Sequence, residues 1–155
     1  MSSKYIKNNQ LKKKINLIKN KQIKLVFTNG CFDIIHAGHI RYLKKAKSLG
    51  DYLIVGINSD SSVQKIKGNT RPINCLKHRL EVLDAISFVD FIVSYETDTP
   101  EPLLKIIKPD YLVKGGDYKD LNNVVGKKFV ESYGGKVFLM DHVKGVSTSL
   151  IIDKI

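Results

Sequence analysis

Apolar and polar positions alternate along this chain in blocks whose period switches between that of a strand and that of a helix. KLVFTNG (24–30) is a short apolar run that ends in a turn. DYLIVGIN (51–58) is almost continuously apolar, as expected of a strand covered on both faces of a parallel sheet. FVDFIVSYE (88–96), YLVKGGDY (111–118) and KVFLMD (136–141) supply three further strand segments. Between them lie helical patterns. HIRYLKKAKSLG (39–50) puts Ile40, Leu43 and Ala46 on one face and closes at Gly50. KHRLEVLDAIS (77–87), PLLKIIK with Pro100 or Pro102 near its start, KKFVESYGG (127–135) and STSLIIDKI (147–155) are the others. Ser147 or a neighbour is the expected N-cap of the last.

Strand–helix alternation of this kind predicts a doubly wound α/β fold, a Rossmann-like, mainly parallel five-stranded sheet. Residues 1–23 read as a basic N-terminal extension. Leu11, Ile15 and Ile18 in it mark an amphipathic, solvated capping helix. Residues 24–155 read as the domain proper. SDSSVQKIKGNTRPIN (59–74) is long for a connection and is expected to be a functional loop with some helix at its start.

Composition narrows the class. At 155 residues and 43% hydrophobic content the chain can bury a real core in one domain. No apolar run reaches the ~18–20 residues of a membrane span, and the N-terminus lacks the apolar core of a secretory signal. Two cysteines, Cys31 and Cys75, form neither a disulfide framework nor a C-x-x-C pair. A cytoplasmic protein is expected. The net charge of +11 suits polyanions and phosphorylated small molecules alike. Aromatic residues are not interleaved with the cations, so no nucleic-acid partner is expected.

In such sheets ligands bind beyond the carboxyl ends of the strands, and the chemistry-bearing residues fall there. His36-Ala37-Gly38-His39 sits where the first strand's loop becomes a helix. Unpaired N–H groups and the helix dipole make that a phosphate site, and two imidazoles can donate to phosphate oxygens. Metal binding is the weaker alternative: His78 and His142 stand at no ligand spacing, so no metal ligand is assigned. Gly145-Val146-Ser147-Thr148-Ser149 opens the last helix as a second cradle or an ordinary N-cap. Lys65, Lys67 and Arg71 are cations that a mobile loop would bring to a phosphoryl centre, or a solvated charge run. Lys114-Gly115-Gly116-Asp117 is a strand-end turn whose glycines admit a nucleobase or sugar, or a turn and nothing more.

Taken together, FTNGCFDIIHAGH, GDYLIVGINSD, KGNTRPI, VKGGDY and GVSTS resemble the HIGH-type, cytidylyltransferase-like nucleotidyltransferases, and among them the adenylyltransferase domains of ADP-heptose synthases. The resemblance runs over residues 24–155. It implies transfer of AMP from ATP to D-glycero-β-D-manno-heptose 1-phosphate, giving ADP-heptose and pyrophosphate for lipopolysaccharide core or surface-glycan synthesis. It implies Mg²⁺ carried on the nucleotide phosphates and a homodimer. A separate sugar kinase would supply the substrate, since no kinase fits in residues 1–23. By position, His36, His39, Lys65 and Lys67 are implied as catalytic. Thr28, Asn29, Gly30, Cys31, Phe32, Arg79, Lys114, Gly115, Asp117, Val146, Ser147 and Thr148 are implied to hold the nucleotide together with the histidines. Asp33, Lys67 and Arg71 are implied to face the sugar phosphate. One departure stands out. Related glycerol-phosphate cytidylyltransferases carry an arginine where this chain has His142, with Lys144 nearby. A CTP-dependent enzyme acting on glycerol 3-phosphate or a similar ester, and a non-catalytic phosphate- or nucleic-acid-binding module, are the competing readings.

Overall fold

The structure is a computed structural model and describes residues 3–20, 22–116, 118–141 and 143–155. Among these, five strands form one parallel sheet in the order β3-β2-β1-β4-β5, with β1 at Leu25–Gly30, β2 at Tyr52–Asn58, β3 at Phe91–Tyr95, β4 at Tyr111–Gly115 and β5 at Lys136–Met140. The expected doubly wound architecture is the observed one, and every pairing is parallel.

Alternate residues of the central strands enter two cores. Leu25, Phe27 and Ile54 join Leu104 and Ile107 of α5 (Glu101–Ile107) on one face. Val26, Leu53 and Val55 join Leu43 and Ala46 of α2 (Ala37–Lys47) and Leu83 of α4 (Leu76–Asp84) on the other. Burial on both faces explains why the strands are apolar runs and do not alternate. Ile40, expected on the buried face of α2, is instead 37% exposed. The helix starts two residues earlier than its apolar pattern suggests, and only Leu43 and Ala46 reach the sheet.

The segment before β1 shares the first core. Leu11 and Ile15 of α1 (Asn8–Ile18) are buried against it rather than solvated. Ahead of that helix, Ile6 N–H donates to Ile92 O at 2.8 Å and Ile92 N–H to Lys4 O at 3.0 Å. This short parallel bridge covers the edge of β3, an exposed ladder that would otherwise invite pairing.

Strand order reverses between β1 and β4, the switch point at which a crevice opens in such sheets. Pairing between these two strands stops after Phe27 and Leu112, whereas β1 and β2 pair through Gly30. Tyr42 of α2 fills the gap. Its hydroxyl bonds Thr28 Oγ1 and donates to Val113 O at 3.0 Å. A wedge between diverging strands thus sets the floor of the site.

Candidate active site

A cleft of about 460 Å³ lies over this crevice, a size that accommodates a nucleotide. It is walled by the loop after β1, the start of α2, the end of α3 (Asp60–Lys67), the turn after β4 and the start of α7 (Thr148–Ile152).

His36 is the N-cap of α2. Its Nδ1 accepts Gly38 N–H at 3.1 Å, and His39 Nδ1 accepts His36 N–H at 3.3 Å. This is a capping box built from two imidazoles, where hydroxyl and carboxylate side chains usually serve. Because both Nδ1 atoms accept, each neutral ring carries its proton on Nε2 and presents a donor there. Burial, and then the neighbouring His36, pull His39 down to about 4, so it is neutral at physiological pH. The first turn of α2 holds no acidic residue while Lys44, Lys45 and Lys47 sit in the last turn. The dipole is therefore compensated at one end and open to an anion at the other.

Lys114, at the end of β4, is nearly buried, and burial lowers its ammonium to about 8. It donates to Asn29 Oδ1. Lys67 and Arg71 also line the cleft. The expected loop 59–74 is in part a helix: α3 runs from its N-cap Ser59 to Lys67 and stops at Gly68, whose φ of 100° favours glycine. Lys65 and Lys67 occupy its last turn, and of the two only Lys67 lines the cleft.

Asp33 and Arg71 are committed to each other. Arg71 Nε donates to Asp33 Oδ2 at 2.7 Å, and Ile73 N–H and Asn74 N–H donate to the same carboxylate at 2.9 and 2.8 Å. Burial alone would raise Asp33, but the two backbone N–H groups and Arg71 outweigh it and hold its carboxyl below the usual range. The pair clamps the 71–74 segment over the loop after β1, and Asp33 has little capacity left for a sugar phosphate.

Arg79 departs furthest from its expected place. It is 1% exposed and does not line the cleft. Its Nε donates to Asn74 O, its Nη1 to Cys31 O and its Nη2 to Asp60 Oδ1 at 3.0, 2.6 and 2.7 Å. It ties three cleft segments together from behind. Thr28 is likewise spent on Tyr42. Asn29, Gly30, Cys31, Phe32, Gly115 and Val146 line the cleft. Ser147 caps α7 as the sequence suggests, accepting Leu150 N–H at 3.1 Å, and Thr148 Oγ1 donates to Ile34 O at 3.2 Å, pinning α7 to the loop after β1. Asp117 and His142 lie outside the described residues.

Tyr42 and Tyr118 were not legible as cleft residues. Each is an isolated aromatic in a pattern otherwise read as helix or turn. Among the described residues no group of three or more His, Cys, Asp or Glu side chains could hold a metal ion, and no helix is long and apolar enough to cross a membrane.

Residues 27–154 match the cytidylyltransferase-like family model. The chain belongs to the cytidylyltransferase-like family. It is 54% identical over 132 residues to the bifunctional protein HldE of Alcanivorax borkumensis, a match covering 85% of this chain and 28% of that protein. It is 56% identical over 141 residues to the bifunctional protein HldE of Campylobacter jejuni subsp. doylei, covering 91% and 30%. The chain thus spans less than a third of the length of these curated relatives. Among solved structures, the lipopolysaccharide core biosynthesis protein from Thermoplasma volcanium GSS1 superposes with a TM-score of 0.66 at 28% identity, covering 80% of this chain and 99% of that one. Pantoate-beta-alanine ligase from Francisella tularensis superposes with a TM-score of 0.67 at 20% identity, covering 97% and 78%, and shows the fold alone.

Proposed function

We propose that this domain is an adenylyltransferase that joins AMP from ATP to D-glycero-β-D-manno-heptose 1-phosphate. A sugar-phosphate oxygen attacks the α-phosphorus in line. A new P–O bond forms there, the bond to the bridging oxygen breaks, and pyrophosphate leaves. The observation that carries the reading is the pair of imidazoles at the N-terminus of α2, which shares one cleft with Lys67 and Lys114. Phosphoryl-type transfer asks for positioning and charge stabilisation rather than covalent chemistry.

In this reading His36 and His39 donate to the α-phosphate oxygens, where charge is redistributed in the transition state. A neutral donor suits this task, and His39, pulled down to about 4, stays neutral near pH 7. Lys67, at the tip of α3, follows the leaving phosphates. Lys114 and Gly115 border the nucleoside, and the Ser147 hydroxyl meets the terminal phosphates. Arg71 and Asp33 shape the acceptor side through the clamped 71–74 segment. Of the carboxylates in the cleft among the described residues, Asp33 is engaged and Asp141 is exposed at the mouth. Such a donor set fits Mg²⁺ that arrives on the triphosphate and is held by phosphate oxygens and water. When bound, that ion would neutralise phosphate charge.

A sugar kinase would supply the 1-phosphate, and the product would serve lipopolysaccharide core or surface-glycan assembly. A homodimer, implied by the resemblance, is checked by light scattering. The test of the reaction is pyrophosphate release with Mg²⁺ and either ATP or CTP, each with heptose 1-phosphate or glycerol 3-phosphate. Release with ATP and the heptose phosphate alone is expected. Release with CTP alone would move the enzyme to a cytidylyltransferase on the same site.

A further inference from the structure

Behind the cleft, side chains from four strand ends form one continuous line of hydrogen bonds. Lys114 Nζ donates to Asn29 Oδ1. Asn29 Nδ2 donates to the Tyr95 hydroxyl at 2.8 Å, and that hydroxyl donates to Asn58 Oδ1 at 3.0 Å. Asn58 Nδ2 donates to Ser62 Oγ at 2.9 Å, and Ser62 Oγ donates to Thr97 O at 3.4 Å. Tyr95, Asn58, Ser62 and Lys114 are all buried.

The line has a single polarity. An ammonium only donates, so Asn29 must turn its oxygen to Lys114 and its amide N–H outward to Tyr95. The phenol must then pass its proton to Asn58, whose N–H₂ meets Ser62, whose proton ends on a backbone carbonyl that only accepts. No link is frustrated, and reversing any one would put two donors face to face. Buried chains of this kind are costly when one member is lost, because the neighbouring groups stay dry and unpaired.

Resting on the adenylyltransferase reading for its catalytic consequence, we propose that Tyr95 is a positioning residue, which with Asn58 fixes the Asn29 amide and so aims the Lys114 ammonium into the nucleotide cleft. Tyr95 itself does not line the cleft. It acts from behind, and its ring packs in the core formed with Phe27 and Leu104. The far end of the line is Ser62 in α3, the helix whose tip carries Lys67, so Lys114 and Lys67 hang on the same set of strand ends.

The titratable and charged groups that share this end of the sheet with Lys114, among the described residues, are Tyr95 from β3, Cys31 and Asp33 after β1, Tyr42, His36 and His39 from α2, Lys67 from α3, Arg71 beyond it, Tyr118 after β4, and Asp141 at the mouth. Burial pushes Tyr95 up to about 12 and raises the Cys31 thiol. Between pH 7 and 9 Lys114 is therefore the group expected to change charge on the buried line.

The test reads Lys114 directly in the ligand-free protein. The ¹³Cε resonance of Lys114, assigned by its loss in Lys114→Met, is titrated in the wild type, Tyr95→Phe and Asn58→Leu. The wild type is expected to titrate near 8. Tyr95→Phe keeps the ring but strands the Asn29 amide, and Asn58→Leu leaves the phenol to seek the Asn29 oxygen for itself. Both variants weaken acceptance from the ammonium. Each should lower the proton affinity of Lys114 about tenfold and weaken Mg²⁺–ATP binding about tenfold at pH 7.5 by calorimetry. An unshifted Lys114 titration in a folded variant overturns the proposal. Should Tyr95→Phe fail to fold, Asn58→Leu decides. A shifted titration in a protein that releases no pyrophosphate upholds the positioning and defeats the adenylyltransferase reading instead.

Discussion

The imidazoles of His36 and His39 lie against each other with ring centroids 3.9 Å apart and planes inclined by 35°. Each ring gives its Nδ1 to a backbone N–H of the same turn. A phosphate entering the cleft therefore meets two Nε2–H donors side by side, held by the helix they cap. Removing one donor at a centre of developing charge costs about 10²–10³ in kcat. His39→Ala should lose at least that much pyrophosphate release while its circular dichroism matches the wild type. Near-normal turnover would remove the histidine from the mechanism.

The same ring makes stability depend on pH. His39 in the folded protein titrates near 4, below its ordinary 6.5, because burial and His36 disfavour the cation. The unfolded chain takes up the proton first as pH falls. The contribution is complete above pH 6.5 and is lost on the way to pH 4. Allowing for the ring's partial exposure, it is about 2 kcal/mol. The unfolding free energy of the wild type minus that of His39→Ala, measured in urea, should shrink by about this amount between pH 7 and pH 4. A constant difference would mean that the ring is not neutral in the fold.

Gly38 separates activity from stability. A Cβ there would sit 2.9 Å from Nδ1 and Cε1 of His36, with no backbone atom among its close neighbours. Alanine also favours a helix over glycine by up to about 1 kcal/mol. Gly38→Ala should therefore keep its melting temperature within a few degrees while kcat/KM falls at least tenfold, as the His36 ring is pushed from its capping position. Unchanged kcat/KM would show that the ring's placement is not critical.

Lys65 and Lys67 looked equivalent as neighbours in a polar stretch, and the helix separates them. Only Lys67 lines the cleft. Lys67→Ala is expected to lower kcat about 10²-fold, whereas Lys65→Ala should stay within about threefold. Steady-state kinetics on the two variants checks the order, and equal losses would contradict the geometry.

The Asp33 carboxylate holds the 71–74 segment by three hydrogen bonds, one of them from Arg71. Removing one partner of a buried ion pair costs about 3–5 kcal/mol. Asp33→Ala should approach the lower end of that range, since Arg71 can turn toward water. The Ile73 and Asn74 amides, which lose their acceptor, should then exchange with solvent faster than in the wild type. Unaltered exchange and stability would mean that the clamp is not needed to hold the segment.

Much of this protein is written locally. The apolar runs at 24–30 and 51–58, the helix closing near residue 50, the Ser147 cap and the glycine and histidines of 36–39 depend on residues one to four positions apart. Their periods and end signals survive in the chain itself. The sequence therefore determined the alternation of five strands with helices and the stretches from which a phosphate site would be drawn.

What it left open was decided by contacts between distant residues. Arg79 is implied by the resemblance to hold the nucleotide, yet its partner Cys31 lies 48 positions away and turns it into a buried brace. Lys114 meets Asn29 across 85 positions, and Asn29 meets Tyr95 across 66. Tyr42 becomes a wedge only because β1 and β4 part after two paired residues. A side chain's type states what it can donate or accept. Which partner it finds, and whether water is excluded around the pair, follows from strand order and register, and these exist only once the sheet has assembled.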